Sequence, residues 1–187
     1  MKKILCLIAA MLLVATAAQA KDISAGTVEV SGAATLGYNS TDLEVKDGPT
    51  TDQSSWGLNL NSSYYVMPNF GVGLLLEYNS TTIADVDASN LGIGPILTYS
   101  FSMNEQVSLP IFGALTYNSQ TGDVIDDPSG WGWLIGAGVK YFMTDNVSLN
   151  GIVDYGQVYW ETDTTNIEID QKGFNVFGGL SVYFGGM

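Results

Sequence analysis

The sequence predicts an all-β fold, namely an eight-stranded antiparallel up-and-down transmembrane β-barrel. Apolar and polar residues alternate in eight segments, the connections between segments are long and short in turn, and one face of each segment carries most of the bulky apolar side chains. Period-two alternation is typical of strands whose two faces meet different surroundings. Antiparallel strands joined in sequence order form a meander that can close on itself.

Residues 1–20 are predicted to be a cleaved signal peptide. Two lysines near the start precede an apolar run from Ile4 to about Ala15, and the stretch ends in the small-residue triplet AQA at 18–20. This order is typical of secretory signals with an A-x-A cleavage site. An uncleaved anchor is the alternative, but the run is shorter than the ~20 residues of a spanning helix. We therefore expect 21–187 to be the exported barrel.

The composition limits the classes of function. The chain has 6 basic and 19 acidic residues, no histidine, and one cysteine, Cys6, inside the predicted signal peptide. Without Lys2 and Lys3, four lysines remain against 19 acidic residues, which is a net charge of −15. A phosphate-binding surface needs clustered Lys or Arg, so we expect no nucleic-acid partner. No disulfide is expected in the mature chain.

The eight predicted strands are joined by alternating long polar connections and short turns. Three of the segments cover 26–39, 147–159 and 174–184, and the other five begin at Trp56, Phe70, Leu91, Val107 and Trp131. The predicted long connections are 40–53, 80–90, 118–130 and 161–171. The predicted short turns are 66–69, 102–105 and 143–146. Pro95 and Pro110 fall in the fourth and fifth strands. Because proline cannot donate to the ladder, we expect a bulge or an early strand end at each.

The bulky apolar face is expected to contact lipid. In the sixth strand, Trp131, Ile135 and Tyr141 alternate with Gly132 and Gly136. So many large side chains would crowd the lumen of a soluble barrel, whereas they suit hydrocarbon, in which a closed barrel satisfies every backbone group. Aromatic residues at strand ends match the girdles at the two interfaces. Small and polar residues are then expected to line the lumen, together with a few inward aromatics: Phe112, Trp160, Phe177 and Tyr183.

Three stretches resemble a known family. GAGVKYFMTDNVSL (136–149), LGIGPILTYSF (91–101) and the closing FGGLSVYF (177–184) are similar to the small outer-membrane β-barrel proteins of Gram-negative bacteria, the group with the opacity-type porins and the OmpX and OmpA barrels. The resemblance implies location in the cell outer membrane, short periplasmic turns and long outward loops. It also implies contact with the lipid bilayer and lipopolysaccharide, folding by the barrel assembly machinery, and a monomer.

Four charged residues are expected inside the barrel by their parity: Glu29, Glu77, Lys140 and Asp154. Only Glu29 and Lys140 share the periplasmic end, and an eight-stranded lumen is narrow enough for long side chains to meet across it. We therefore hypothesise that Lys140 pairs with Glu29 and helps to close the lower lumen. The alternative is that the Lys140 side chain extends into periplasmic water.

Neither catalysis nor a metal or cofactor is expected. Nucleophile-and-base chemistry usually depends on histidine, and the chain has none. A pair of carboxylates, such as Asp126–Asp127 or Glu161 with Asp163, could in principle act instead, but a solvated loop is the expected role of these residues. Thirteen of the 19 acidic residues lie in the long connections, including DVDASN at 85–90 and DVIDD at 123–127. These stretches lack the glycine and glutamate of an EF-hand, so solvated acidic loops are the expectation.

Two classes of function remain. The first is a non-catalytic, non-conducting surface protein that displays acidic extracellular loops for adhesion or envelope integrity. The second is a narrow porin-like conduit for ions or small apolar molecules. The inward aromatics favour the first class, because eight strands leave room for little more than side chains.

Overall fold

The computed structural model describes residues 22–35, 40–41, 53–83, 86–122, 128–161 and 169–185. Within these ranges the strands are β1 (Val28–Thr35), β2 (Ser40–Thr41), β3 (Gln53–Met67), β4 (Phe70–Ile83), β5 (Val86–Ser102), β6 (Val107–Gly122), β7 (Ser129–Thr144), β8 (Val147–Glu161) and β9 (Ile169–Phe184). The described residues include no helix that is long and apolar enough to span a membrane. Residues 1–20, and with them the predicted signal peptide, lie outside the described part.

The long strands close into a barrel. From β3 to β9 each strand pairs with the next in sequence, and β1 pairs with both β3 and β9. All pairs are antiparallel, and Val28 on β1 lies between Tyr64 on β3 and Phe184 on β9. The two-residue strand β2 pairs with the upper part of β9. The predicted eight-stranded up-and-down barrel is therefore confirmed, with the short turns where the sequence pattern places them.

The strands extend beyond the segments that the apolar alternation marked. The prediction of a long connection at 80–90 is wrong, because β4 continues to Ile83 and β5 begins at Val86, with Thr82 opposite Asp87. The connections predicted at 118–130 and 161–171 are also shortened by strand residues. Hydropathy alternation ends where the wall leaves the bilayer, but Ser, Thr and Asn continue the backbone ladder into water.

Neither strand proline has the predicted bulge or early strand end. β5 continues past Pro95 to Ser102, and β6 continues past Pro110 to Gly122. The pairing of β5 with β6 omits residues 94 and 95 and then resumes in the same register, and the pairing of β6 with β7 omits residues 109 and 110 in the same way. Each proline thus removes ladder hydrogen bonds locally without shifting the register, because the partners on both sides hold the strands in place.

The lipid-facing side carries the large apolar residues, as predicted. Trp131, Leu74 and Ile135 are about 60% exposed to the surroundings of the barrel. Aromatic rings pair between neighbouring strands near the outer end, with centroids 5.2 Å apart for Trp56 and Tyr78. Exposed apolar surface on this scale fits contact with lipid tails rather than water.

The lumen differs from the prediction of a small and polar lining. Leu75, Ile96, Ala114 and Leu134 are buried and form an apolar cluster inside the barrel, with Phe112 packed against it. This layer, called the septum below, comes from four consecutive strands, β4 to β7. The general alternation hid it, because a few inward leucines and isoleucines are outnumbered by inward glycines and polar residues.

An N-terminal segment, residues 22–27, closes the periplasmic mouth. Ile23 is 1% exposed and packs with Tyr65, Phe142 and Tyr183. Its backbone N–H donates to Asn69 Oδ1 at 2.8 Å, and its carbonyl accepts from the Asn69 N–H at 2.9 Å. Asn69 has a φ of 64°, a left-handed conformation that asparagine tolerates at a tight turn. The β3–β4 turn therefore holds the segment across the end of the barrel.

The first prediction concerns lipid contact. Leu74→Arg or Ile135→Arg should destabilise the refolded protein by ~2–4 kcal/mol, because a charge then faces the middle of the apolar band, whereas Val66→Arg, near the periplasmic turn, should cost only about 0–1 kcal/mol. Urea unfolding in lipid vesicles measures the three free energies. Equal costs at all three positions would contradict the assignment of the lipid face.

The second prediction concerns the N-terminal segment. Ile23→Ala should cost ~2–5 kcal/mol, because it leaves a cavity among three buried aromatic rings. The exposed neighbour Ala25 provides a control, since Ala25→Ser should change the free energy of unfolding by about 0.5 kcal/mol or less. If both variants unfold at the same urea concentration as the unmodified protein, the segment does not stabilise the barrel.

Candidate functional site: the closed lumen

An ion pair crosses the lower lumen. Lys140 Nζ donates to both carboxylate oxygens of Glu29, at 2.6 Å to Oε1 and 2.7 Å to Oε2. Glu29 is 2% exposed and Lys140 is 4% exposed. Glu29 lies on β1 and Lys140 on β7, so the pair joins strands that are not neighbours in the barrel. The geometry is that of a buried, charge-assisted pair.

Neutral side chains complete the surroundings of this carboxylate. The Tyr65 hydroxyl donates to Glu29 Oε2 at 2.6 Å, and the Ser181 hydroxyl donates to Oε1 at 2.7 Å. The Lys140 ammonium also lies 5.5 Å from the centroid of the Tyr183 ring. Each oxygen of Glu29 therefore accepts from Lys140 and from one hydroxyl, and a buried carboxylate is stable only with such partners.

Inward side chains on β8 and β9 extend this hydrogen-bond network. Asn150 Nδ2 donates to Ser181 Oγ at 2.6 Å, and Asn150 Oδ1 accepts from Ser148 Oγ at 2.9 Å. Ser148 and Tyr183 hydroxyls are 3.3 Å apart. These residues all have inward parity on β8 and β9. Together with the ion pair they fill the lower lumen with hydrogen-bonded side chains, and we call this set the polar layer: Glu29, Tyr65, Lys140, Ser148, Asn150, Ser181 and Tyr183.

The septum above the polar layer depends on small residues opposite large ones. A Cβ built on Gly136 would come within 2.3 Å of the Phe112 ring. Only glycine at this position leaves room for the ring to turn inward beside Leu134 and Leu75. Between the septum and the polar layer lies a small cavity of ≈ 50 Å³, whose lining includes Asn59, Thr98 and Phe177.

A larger cavity of ≈ 340 Å³ lies on the extracellular side of the septum, and we call it the upper cavity. The remaining interior carboxylates are here. Asp154, 3% exposed, accepts from Asn175 Nδ2 at 2.8 Å, and Glu77 accepts from the Asn59 side chain. The structure therefore brings Glu29 and Lys140 together, whereas Glu77 and Asp154 have other partners; Asp154 also borders the small cavity that Glu29 and Lys140 line.

Only one residue of the two candidate carboxylate pairs lies in the described part of the chain. Asp126, Asp127 and Asp163 lie outside the described residues, and Glu161 ends β8. Among the residues that the structure describes, no group of three or more acidic, histidine or cysteine side chains is placed to hold a metal ion.

Several partners in the polar layer were not predicted from sequence. Tyr65, Ser148, Asn150 and Ser181 were not singled out, although each has inward parity near a periplasmic strand end. Identifying the inward-facing residue of each strand at the level of Glu29 would have found them. The bonds themselves depend on the barrel's register, which places Glu29 opposite Ser63 and Tyr183.

Comparison with known structures supports the same architecture. The chain is similar to Neisserial surface protein A at 18% identity, with 86% of this chain and 98% of that chain covered and a TM-score of 0.61. It is similar to Ail, the attachment invasion locus protein of Yersinia pestis, at 18% identity, with 86% and 99% covered and a TM-score of 0.54. At these identities the likeness concerns the fold. No curated protein sequence matches.

A protein-family comparison covers nearly the whole chain. The model for the outer membrane protein beta-barrel domain matches residues 6–184. This range includes all nine strands and both layers that close the lumen. The chain therefore belongs to the outer-membrane β-barrel protein family of Gram-negative bacteria, and its place is the cell outer membrane.

Proposed function

We propose that this chain is a non-catalytic, non-conducting surface protein, in which a rigid barrel displays acidic connections for adhesion or envelope integrity. The observation that carries the proposal is the double closure of the lumen by the septum and the polar layer. Since the two layers lie in series, an ion would have to displace an apolar cluster and a buried ion pair. A protein built in this way uses its barrel as a support rather than a passage.

The acidic connections restrict what such a surface could contact. Thirteen of the 19 acidic residues lie in the four predicted long connections, with Lys46 as the only basic residue there. One structure of the similar protein Ail is a complex with the heparin analogue sucrose octasulfate. For this chain we expect the opposite preference, because like charges repel a polyanion. A neutral or basic partner surface fits better.

The expected environment follows from the same location. We propose contact with the lipid bilayer and lipopolysaccharide, folding by the barrel assembly machinery, and a monomeric state. The lipid-facing girdle of aromatic residues supports the first of these.

A narrow conduit for ions or small apolar molecules is the second candidate. The cavities above and below the septum favour it, because the path is interrupted within the described residues by the septum, the polar layer and the N-terminal segment. Conduction would then require side-chain movement in both layers. The measurements below separate the two candidates.

The third prediction concerns conductance. The refolded protein in planar bilayers should give no unitary current steps, and Phe112→Ala with Leu134→Ala should also remain silent, because the polar layer still closes the lower lumen. Adding both Lys140→Ala and Ile23→Ala to that pair, which loosens the polar layer and the N-terminal segment, should produce steps. Regular steps from the unmodified protein would favour the conduit instead.

The fourth prediction concerns the ion pair. Lys140→Met should cost ~3–5 kcal/mol, because it leaves the Glu29 carboxylate buried without its cation. Glu29→Gln in the same chain should restore part of that stability, so a double-mutant cycle should give a coupling energy well above ~0.5 kcal/mol. Lys172→Met is the matched control, since this exposed lysine should contribute about 0.5 kcal/mol or less. Additive single effects would show that the pair does not stabilise the barrel.

A further inference from the structure

Two carboxylates face each other across the upper cavity. Glu77 on β4 and Asp154 on β8 both line it, and four steps separate these strands in a ring of eight, which puts them on opposite walls. Repulsion between the two ionised carboxylates destabilises the folded barrel unless a positive charge lies between them.

The described residues provide no cation for this level of the lumen. Lys140 is bound to Glu29 in the polar layer, and Lys172, on the rim of the upper cavity, is exposed and lies between inward Gln171 and Gly173. The hydrogen bonds to Glu77 and Asp154 come instead from the neutral amides of Asn59 and Asn175. The contrast with Glu29, which has its own ammonium group, indicates that the compensating charge comes from outside the chain.

Oxygen atoms beside these carboxylates also lack partners. The buried amide oxygens of Asn59 and Asn90 have no hydrogen bond within the described part of the chain. Asn90 Oδ1 is at the upper cavity, and Asn59 Oδ1 belongs to the side chain that donates to Glu77. Buried polar atoms of this kind ordinarily bind an ordered water or an ion.

Gly92 lies between Glu77 on β4 and Asn118 on β6, and a side chain at this position would collide with the Asn118 amide. A Cβ at this position would lie 2.6 Å from Asn118 Oδ1 and 3.6 Å from Glu77 Oε2. Asn118 is 1% exposed; its Nδ2 donates to Thr116 Oγ1 at 2.9 Å, and its Oδ1 accepts from Asn90 Nδ2 at 3.5 Å. Glycine at this position therefore lets the Asn118 amide and the Glu77 carboxylate line the same wall of the upper cavity.

We propose that the upper cavity binds one hydrated divalent cation between Glu77 and Asp154, with the unpartnered amide oxygen of Asn90 as a further ligand. Ca²⁺ and Mg²⁺ take carboxylate, amide and water oxygens, and Mg²⁺ keeps several waters when one or two carboxylates hold it. Two carboxylates supply the matching charge of −2. The cavity volume of ≈ 340 Å³ leaves room for the water shell.

The first test measures stability against cation. Refolded protein is unfolded with urea in CaCl₂, in MgCl₂, in NaCl of equal ionic strength, and in ethanolammonium chloride. The unfolding midpoint should rise with either divalent cation and stay constant in NaCl. A rise with ethanolammonium as large as with CaCl₂ would overturn the assignment to a metal ion and indicate an organic cation.

Matched variants locate the effect. Glu77→Gln with Asp154→Asn should abolish the Ca²⁺-dependent rise, and in EDTA this variant should unfold at the same urea concentration as the unmodified protein or a higher one, because the uncompensated carboxylates are gone. Glu105→Gln removes an exposed carboxylate of a periplasmic turn and should keep the full Ca²⁺ response. If the double variant keeps that response as well, the cation binds elsewhere, for example at the acidic connections, and the proposal fails.

The second test detects binding directly. Tb³⁺ is a probe for Ca²⁺ sites, and Trp160, which is buried and lines the upper cavity, should sensitise its luminescence. Ca²⁺ should displace Tb³⁺, and Glu77→Gln alone should weaken binding of both ions by at least ~10-fold. Heat-dependent migration on a denaturing gel verifies that each variant is folded. Unchanged Tb³⁺ luminescence and affinity in a folded Glu77→Gln variant would overturn the site.

Discussion

Backbone pairing in hydrocarbon is the constraint on which the rest of the structure depends. An unpaired N–H or C=O group has no water to bind inside a bilayer, so the sheet must close, and β1 does this by pairing with both β3 and β9. Closure also explains why the prolines are tolerated. Pro95 and Pro110 each remove ladder bonds, but the register is the same on both sides of each gap because neighbouring strands cannot slide in a closed ring.

A closed ring of eight strands is narrow, and its lumen must be filled by side chains. The chain fills it in two chemically different ways. The septum uses leucine, isoleucine and a phenylalanine that fits only because Gly136 lies opposite. The polar layer uses charges and hydroxyls whose bonds cross between β1, β3, β7 and β9. The first layer excludes water by volume, and the second ties distant strands together by directional bonds.

The sequence pattern predicted the outer surface of the barrel better than its interior. Alternation with period two placed Leu74, Ile135 and Trp131 toward lipid, since every second residue of a wall strand has one environment. Parity also identified Glu29 and Lys140 as interior residues. It did not reveal the septum, because each septum residue is a single apolar side chain among inward glycines, and only the register brings four of them to one level. Strand ends were missed for a related reason: the ladder continues into water after the apolar pattern stops.

The three interior carboxylates differ in how their charge is balanced, and that difference follows from depth. Glu29 lies below the septum, enclosed by the N-terminal segment and the polar layer, so its counter-ion has to be a residue of the chain, Lys140. Glu77 and Asp154 line the upper cavity, toward the extracellular end, and Asp154 also borders the small cavity below it. There a counter-ion can come from solution, and amide donors orient the carboxylates when no cation is bound. One fold therefore combines a fixed ion pair, which favours a permanently closed lower lumen, with an upper cavity whose charge remains available to a ligand.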